Sequence, residues 1–306
     1  MPGRVRDWRL IAVLGAVAVA GVAAAVWWTY NQRLDATGMA AYLPKREAAL
    51  AYIDVAAIRD SGLLEKLLGS TVGEEPEYKA FIQRTGFDYK RDLDQVLFSS
   101  ASGTHYLLLK GRFDWNKLKS YAAQQGGKCD GDYCSLAGST PGRVISFYPL
   151  KGNLMALASG ATENAARDIS PRSREKLPFE PPPKPVWLHA PSALLGDQQE
   201  APAGTRLFLK ALQSAEQLMM TIGPAGDAFE LALDVTCRTE QDAAVLKAQL
   251  EGLTAFLGKL ISRENQKPNP GDLSGVLTAG VFERDLRHVR GRWPIRKAFL
   301  DALGGS

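Results

Sequence analysis

The chain has 306 residues, of which 45% are hydrophobic and 23% charged; this is an ordinary globular composition, sufficient for one large core or two smaller ones. The formal net charge is +4 and part of it lies in the N-terminal tail, so the remaining chain lacks the strong basic field typical of nucleic-acid-binding proteins. Three cysteines without a Cys-x-x-Cys pair and three scattered histidines exclude a typical dithiol redox or zinc site.

Residues 10–30 form an unbroken apolar run that, at about 1.5 Å per helical residue, reaches roughly 31 Å and matches the hydrocarbon core of a bilayer. Arg4, Arg6 and Arg9 precede the run, and this excess of positive charge predicts a cytoplasmic N-terminus. We therefore expect a single-pass protein of the inner (cell) membrane, with a cytoplasmic tail (1–9), a transmembrane signal-anchor helix (10–30) and a periplasmic or extracellular body. A cleaved secretory signal is the alternative interpretation.

Four alanines of the apolar run are spaced four residues apart and share one helix face: Ala12, Ala16, Ala20 and Ala24. Small side chains let a second helix approach closely, so one hypothesis is self-association through this face. Alanine is also a common filler of such segments, which is the simpler interpretation.

A polar juxtamembrane linker (31–47) precedes the first predicted unit, residues 48–169. Its first element, Ala48–Ile58, is a short apolar run typical of a strand buried on both faces. The other elements predicted for this unit are helices over 59–68, 76–84, from Trp115 to about Ala122, and over 162–169, and strands over 95–101, 104–113, 143–149 and 153–159.

A proline-rich segment, residues 170–185, is expected to be an extended spacer before a second unit, residues 186–306. In the second unit, Trp187-Leu188-His189 occupies the place that Tyr52-Ile53-Asp54 has in the first. A capping box at Thr239 begins the longest helix, which ends near Ser262. Strands are expected over 186–190, 215–222, 227–237, 276–283 and 288–295, with a helix over 207–212 and a last helix that ends at Leu303.

The two units thus show the same order of strands and helices. This order predicts an α+β fold in which an N-terminal transmembrane helix is followed by two similar ferredoxin-like units, each an antiparallel sheet with helices on one face. Whether the two sheets join is open at this point.

Cys129 and Cys134 lie on either side of an Asp-Gly turn, which brings paired strands together. In an oxidising compartment we expect a disulfide between them. Cys237 falls on the apolar face of a predicted strand and is expected to be a free buried thiol.

Several short motifs occur in the part of the chain that follows the predicted membrane segment. They are Leu43-Pro44 before Tyr52-Ile53-Asp54, Thr85-Gly86-Phe87-Asp88 with Asp92-Leu93-Asp94, Gly111-Arg112-Phe113-Asp114, and Gly291-Arg292-Trp293-Pro294. In these motifs the chain resembles uncharacterised bacterial single-span envelope proteins with a duplicated α+β extracytoplasmic body. The resemblance implies that layout, and it implies no activity and no binding residue.

Asp54 and His189, at equivalent places in the two units, are the candidates for a catalytic acid/base pair, although each polar residue would also serve as a cap at its strand end. Arg287, Arg290 and Arg292 form a candidate patch for an anionic partner, with a solvated strand as the alternative. The carboxylates of Asp88, Asp92 and Asp94 lack the spacing of an EF-hand calcium loop, so turn and cap roles are favoured.

No phosphate-loop, dinucleotide-binding or Gly-x-Ser-x-Gly motif occurs. We therefore expect a membrane-anchored extracytoplasmic interaction or assembly module of the bacterial envelope, without cofactor, metal or nucleic acid, that binds another envelope protein. One alternative is an envelope hydrolase with a polar pocket that contains Asp54 or His189. Another is a lipid or small-ligand binding protein with a large apolar cavity.

Overall fold

The computed structural model describes residues 35–44, 48–64, 76–170, 177, 179–191, 211–212, 215–226, 228–263 and 267–304. The predicted tail and transmembrane segment, with the alanines proposed for self-association, lie outside these ranges. Within them, no helix combines the length and the hydrophobicity needed to cross a bilayer; the longest, Glu240–Arg263, has charged residues along its whole length. The predicted inner-membrane, single-span localisation therefore has no support in the described part of the chain.

Twelve strands of the described chain form one sheet. They are β1 (Ala49–Asp54), β2 (Leu93–Ala101), β3 (Thr104–Gly111), β4 (Lys128–Asp130), β5 (Tyr133–Ala137), β6 (Val144–Lys151), β7 (Leu154–Gly160), β8 (Val186–Pro191), β9 (Ala215–Ala225), β10 (Ala228–Cys237), β11 (Val281–Asp285) and β12 (His288–Ile295).

The strands lie in the order β11-β12-β10-β9-β8-β1-β2-β3-β7-β6-β5-β4, and the neighbours are antiparallel. The prediction of two ferredoxin-like units is therefore wrong, because the chain builds one continuous sheet. The order β1-β2-β3-β7-β6 recurs as β8-β9-β10-β12-β11, and the two halves meet where β1 pairs with β8. This pairing satisfies backbone N–H and C=O groups that two separate sheets would each leave exposed at an edge.

The described helices are α1 (Ala36–Ala40), α2 (Val55–Asp60), α3 (Pro76–Thr85), α4 (Tyr89–Asp92), α5 (Trp115–Gln124), α6 (Glu240–Arg263), α7 (Leu273–Leu277) and α8 (Lys297–Gly304), together with a 3₁₀ helix over Ala165–Asp168. Aspartate side chains accept hydrogen bonds from backbone N–H groups at the start of α1, α2, α4, α5 and α7. These caps stabilise short helices that could not form in isolation.

The two faces of the sheet carry different cores. On the first face, α1 and the 3₁₀ helix cover the first half and the β1–β8 junction, around Leu50, Leu97 and Trp187. On the second face, α5 packs over the first half and α6 over the second half. The face of each residue follows from the strand alternation, which places successive side chains on opposite sides.

Candidate functional site

The first-face side chains at the β1–β8 junction include both predicted catalytic residues, but the structure does not bring these two together. His189 lies opposite Leu50, whereas Asp54 ends β1 and donates its backbone N–H to the carbonyl of Pro185 at 2.7 Å. Four residues of strand, roughly 13 Å, separate the two positions. The two residues are far apart because they are equivalent by the pseudo-twofold symmetry of the halves. Tyr52 pairs with Trp187 near the axis, and Asp54 and His189 each lie two residues further along antiparallel strands, so they lie in opposite directions from the axis.

An aromatic cluster occupies the space between them. Tyr52 and Trp187 stack across the strand pair with their ring centroids 5.7 Å apart, and Phe179 meets Trp187 edge-on at 5.5 Å. Phe179 also stacks on His189 at 4.2 Å. Burial lowers the pKa of His189, against a smaller raising effect of Gln217, which favours a neutral ring at pH 7. His189 is therefore a packing residue of the junction.

Beside this cluster lies an open cavity of about 570 Å³, here called the junction cleft. Its volume falls within the range of ligand pockets, roughly 300–1,000 Å³. Apolar groups dominate its walls, and its lining includes Asp35, Tyr52, Asp54, Trp187, Phe229 and the run Pro181–Pro183. The end of the predicted proline-rich spacer is thus a wall of a site, and Phe179 of the same segment packs on the core.

The charged residues that line the junction cleft are two carboxylates, Asp35 and Asp54, and Lys184. The Oδ1 atom of Asp35 accepts a hydrogen bond from the N–H of Gly38, and Oδ1 of Asp54 accepts one from the N–H of Ala57. Burial raises the pKa of the Tyr52 hydroxyl above its ordinary value, and the negative charges of Asp54 and Asp35 raise it further. Both carboxylates therefore act on the same hydroxyl, and neither forms an ion pair within the described ranges.

Two residues that carry nitrogen donors, Lys184 and Trp187, also line the cleft. Lys184 donates its Nζ proton to the carbonyl of Pro224 at 3.3 Å and so is already engaged. Trp187 is 1% exposed, and its Nε1 has no hydrogen-bond partner in the part of the chain that the structure describes. A buried indole N–H without an acceptor is unusual, because leaving a donor unsatisfied is unfavourable by about 1 to 3 kcal/mol. The Trp187 N–H is enclosed, so the groups that the cleft presents to a ligand are its carboxylates and its apolar walls.

Arg290 and Arg292 of the arginine patch lie on the first face of the second half, away from the cleft, and Arg287 lies in the turn between β11 and β12. Arg290 is 3.4 Å from Asp234, Arg292 is 2.6 Å from Glu283, and Arg287 is 3.7 Å from Glu216. All three arginines are about half exposed. Because a carboxylate accompanies each guanidinium, this surface carries alternating charges, and its attraction for an anionic partner is correspondingly weaker.

The three aspartates considered for calcium serve the loop that follows α3. Asp88 caps α4 and accepts a hydrogen bond from the Tyr78 hydroxyl at 2.8 Å, while Asp94 pairs with Arg59. The hydrogen bond from Arg91 lowers the pKa of the buried Asp92 to about 2, against the raising effect of burial and with help from the Asp88 N–H and Arg112. No group of three candidate metal ligands occurs among the described residues.

The predicted disulfide between Cys129 and Cys134 is present and joins β4 to β5. Cys237 is free and buried in the core under α6. Both cysteine features are structural and lie apart from the junction cleft.

Sequence reasoning missed Asp35, Trp187 and Phe229 as members of one site, since they come from three distant segments. One sequence feature could have indicated the contact between Tyr52 and Trp187. These residues occupy equivalent places in the two halves, and equivalent residues lie opposite each other when the two edge strands pair about a twofold axis.

No family model and no curated protein matches the chain. Three crystal forms of TP0453 are similar: form I has a TM-score of 0.46 at 10% identity, covering 87% of this chain and 95% of that one. Form III scores 0.44 at 8% identity, covering 87% and 96%, and form IV scores 0.40 at 11%, covering 86% and 94%. Similarity at this level carries no conclusion about function.

Proposed function

We propose that this protein is a non-catalytic interaction module that binds a basic segment of a partner protein in the junction cleft. The observation that carries the proposal is the pair of carboxylates, Asp35 and Asp54, that flank the Tyr52 hydroxyl without an ionic partner in the described chain. A lysine or arginine side chain is the ligand group that such a pair attracts.

The apolar walls suit the rest of a basic side chain. Lysine and arginine bury their aliphatic stems along apolar surface while the charged head stays at a polar rim. Pro181–Pro183 and Phe229 supply that surface, and prolines hold it in one conformation. Little conformational entropy is lost when a ligand enters a site that is already rigid.

The open shape of the cleft and its apolar walls favour a peptide segment, whose residues beside the basic one can contact those walls. A free polyamine offers no such side chains, so a basic peptide segment fits the cleft better.

The same geometry disfavours catalysis at this place. The proposed acid and base are about 13 Å apart along the strand, beyond hydrogen-bond reach. Asp54 is committed to the cap of α2, and His189 is enclosed by Phe179 and the sheet.

The test is a titration of the full-length protein with two capped pentapeptides that differ only at the central residue, lysine in one and the uncharged norleucine in the other. Binding is followed by the NMR signal of the Trp187 indole N–H. We expect the lysine peptide to bind at least about tenfold more tightly, because a hydrogen bond to a charged group contributes about 1.5 kcal/mol or more. Equal affinity of the two peptides would contradict the proposal.

Asp54→Asn is the informative variant, since asparagine also caps helices and the fold is retained. It should weaken the lysine peptide about tenfold. The matched control is Asp114→Asn, the same change at the cap of α5, which lies outside the cleft and should leave binding unchanged.

A further inference from the structure

Helix α6 is apolar on two opposite sides. Its inner side packs Ala243, Leu246 and Leu250 against the second face of the sheet. On its outer side, Val245 is 45% exposed, Phe256 49% and Leu260 39%. Exposed apolar residues grouped on one side of a helix mark an interaction surface, and the described chain leaves this side uncovered.

The outer apolar residues form a stripe, Val245, Ala248, Gly252, Phe256 and Leu260, with steps of three and four residues that keep them on one side of the helix. The stripe has small side chains on one side of Gly252 and large ones on the other. Gly252 lies at its centre, and a Cβ atom placed there would meet nothing within 4 Å.

This order of sizes makes the stripe complementary to itself. When two copies of α6 lie antiparallel with Gly252 against Gly252, each Phe256 faces the gap bounded by Val245, Ala248 and Gly252 of the other copy. A large knob in a hole of small residues is the packing that holds helix pairs together. The two glycines allow the helix axes to approach closely at the crossing point.

The charges at the helix ends are complementary in the same arrangement. The first turn carries Glu240 and Asp242, and the last turns carry Lys259 and Arg263. An antiparallel pair places the acidic start of one helix beside the basic end of the other, and it also opposes the two helix dipoles favourably. A parallel pair would place like charges together at both ends.

We infer that the outer side of α6 is the interface of a twofold-symmetric homodimer, with Gly252 on the axis. The occupant is a second copy because size and charge both match under the same antiparallel reversal, and a symmetric interface requires such self-complementarity. The inference does not depend on the junction cleft, which lies on the opposite face of the sheet.

The test is disulfide crosslinking of full-length Gly252→Cys under mild oxidation, read on a non-reducing gel. A residue on a twofold axis lies near its own copy, and a disulfide forms when the two Cα atoms are about 4.4–6.8 Å apart. We expect a covalent dimer. Gly258→Cys is the matched control: it is on the same helix and also has open space at Cβ, but lies about a third of a turn away from the stripe and should not crosslink.

A second variant distinguishes loss of the dimer from loss of folding. Gly252→Leu fills open space in the single chain and improves helix propensity, so the thermal unfolding midpoint should not fall when both proteins are compared at a concentration at which they are monomers. The same leucine would block the close approach of two helices, and we expect the dimer dissociation constant from sedimentation to rise at least tenfold. Crosslinking that is equal at positions 252 and 258, or a wild-type protein that is monomeric at all concentrations, would overturn the inference.

Discussion

Strands β7 and β12 occupy the same place in the two halves of the sheet, yet they are buried differently. In β7, Leu154, Met155 and Ala156 are buried in succession, because α5 covers one face and α1 with the 3₁₀ helix covers the other. In β12, buried Val289 and Trp293 alternate with exposed Arg290 and Arg292, because the described residues cover only the α6 side. One strand order thus supports both a three-layer and a two-layer arrangement, and the side-chain pattern decides between them.

The largest effect should come from placing a charge where β7 is covered. Ala156 is fully buried on the first face, and Ala156→Arg would bury an unpaired guanidinium. We expect the free energy of unfolding to fall by about 4 kcal/mol or more, or folding to fail. Urea unfolding measures this. Normal stability would show that the first face of β7 is not enclosed, and the comparison between the halves would then break down.

An intermediate effect is expected at Asp92, a buried charge of the first half. Asp92→Asn removes the ion pairs with Arg91 and Arg112 while it retains an acceptor for the Asp88 N–H. Because both arginines are exposed and can be solvated, we expect a loss of about 1–2 kcal/mol at pH 7.

The pH dependence of stability identifies the cause. The folded pKa of Asp92, about 2, lies below the ordinary value, so its contribution is complete above about pH 4 and is lost as the pH falls toward 2. The difference between wild type and Asp92→Asn should therefore shrink over that interval. A constant difference would indicate a packing effect instead.

The smallest effect should be at the exposed face of β12. Arg292→Ala removes the contact with Glu283, in which both side chains are more than half exposed. Exposed ion pairs contribute about 0–1 kcal/mol, so the urea midpoint should barely move. A loss comparable to that of Asp92→Asn would mean that the first face of the second half is covered in the folded protein, and the two-layer description would need revision.

The sequence predicted the bounds of local elements correctly where a single pattern determined them. Strand β12 spans the predicted residues 288–295, and α6 begins at the predicted capping box, where the Asp242 N–H donates to the Thr239 hydroxyl. The strand expected over 276–283 is instead helix α7 followed by β11. Asp272 caps α7 through the N–H groups of Ser274 and Gly275, and this cap outweighs the β-forming tendency of the short apolar run.

The junction cleft could be predicted only in part. The equivalence of Tyr52 and Trp187 was visible in the sequence, but their stacking depends on which edge strands of the two halves pair. Asp35 joins them from a segment before β1, and Phe229 from β10, over distances that no local pattern encodes.

By itself the sequence determined the strand periodicity, the helix caps, the Cys129–Cys134 bond and the repeated order of elements, because each of these depends on residues close together in the chain. Only the tertiary structure decided that the halves share one sheet, that Asp54 and His189 lie at opposite ends of the junction, and that the described residues leave an apolar side of α6 uncovered. The physical reason is that strand edges are satisfied by any antiparallel partner of suitable shape, so their pairing depends on how the whole chain packs.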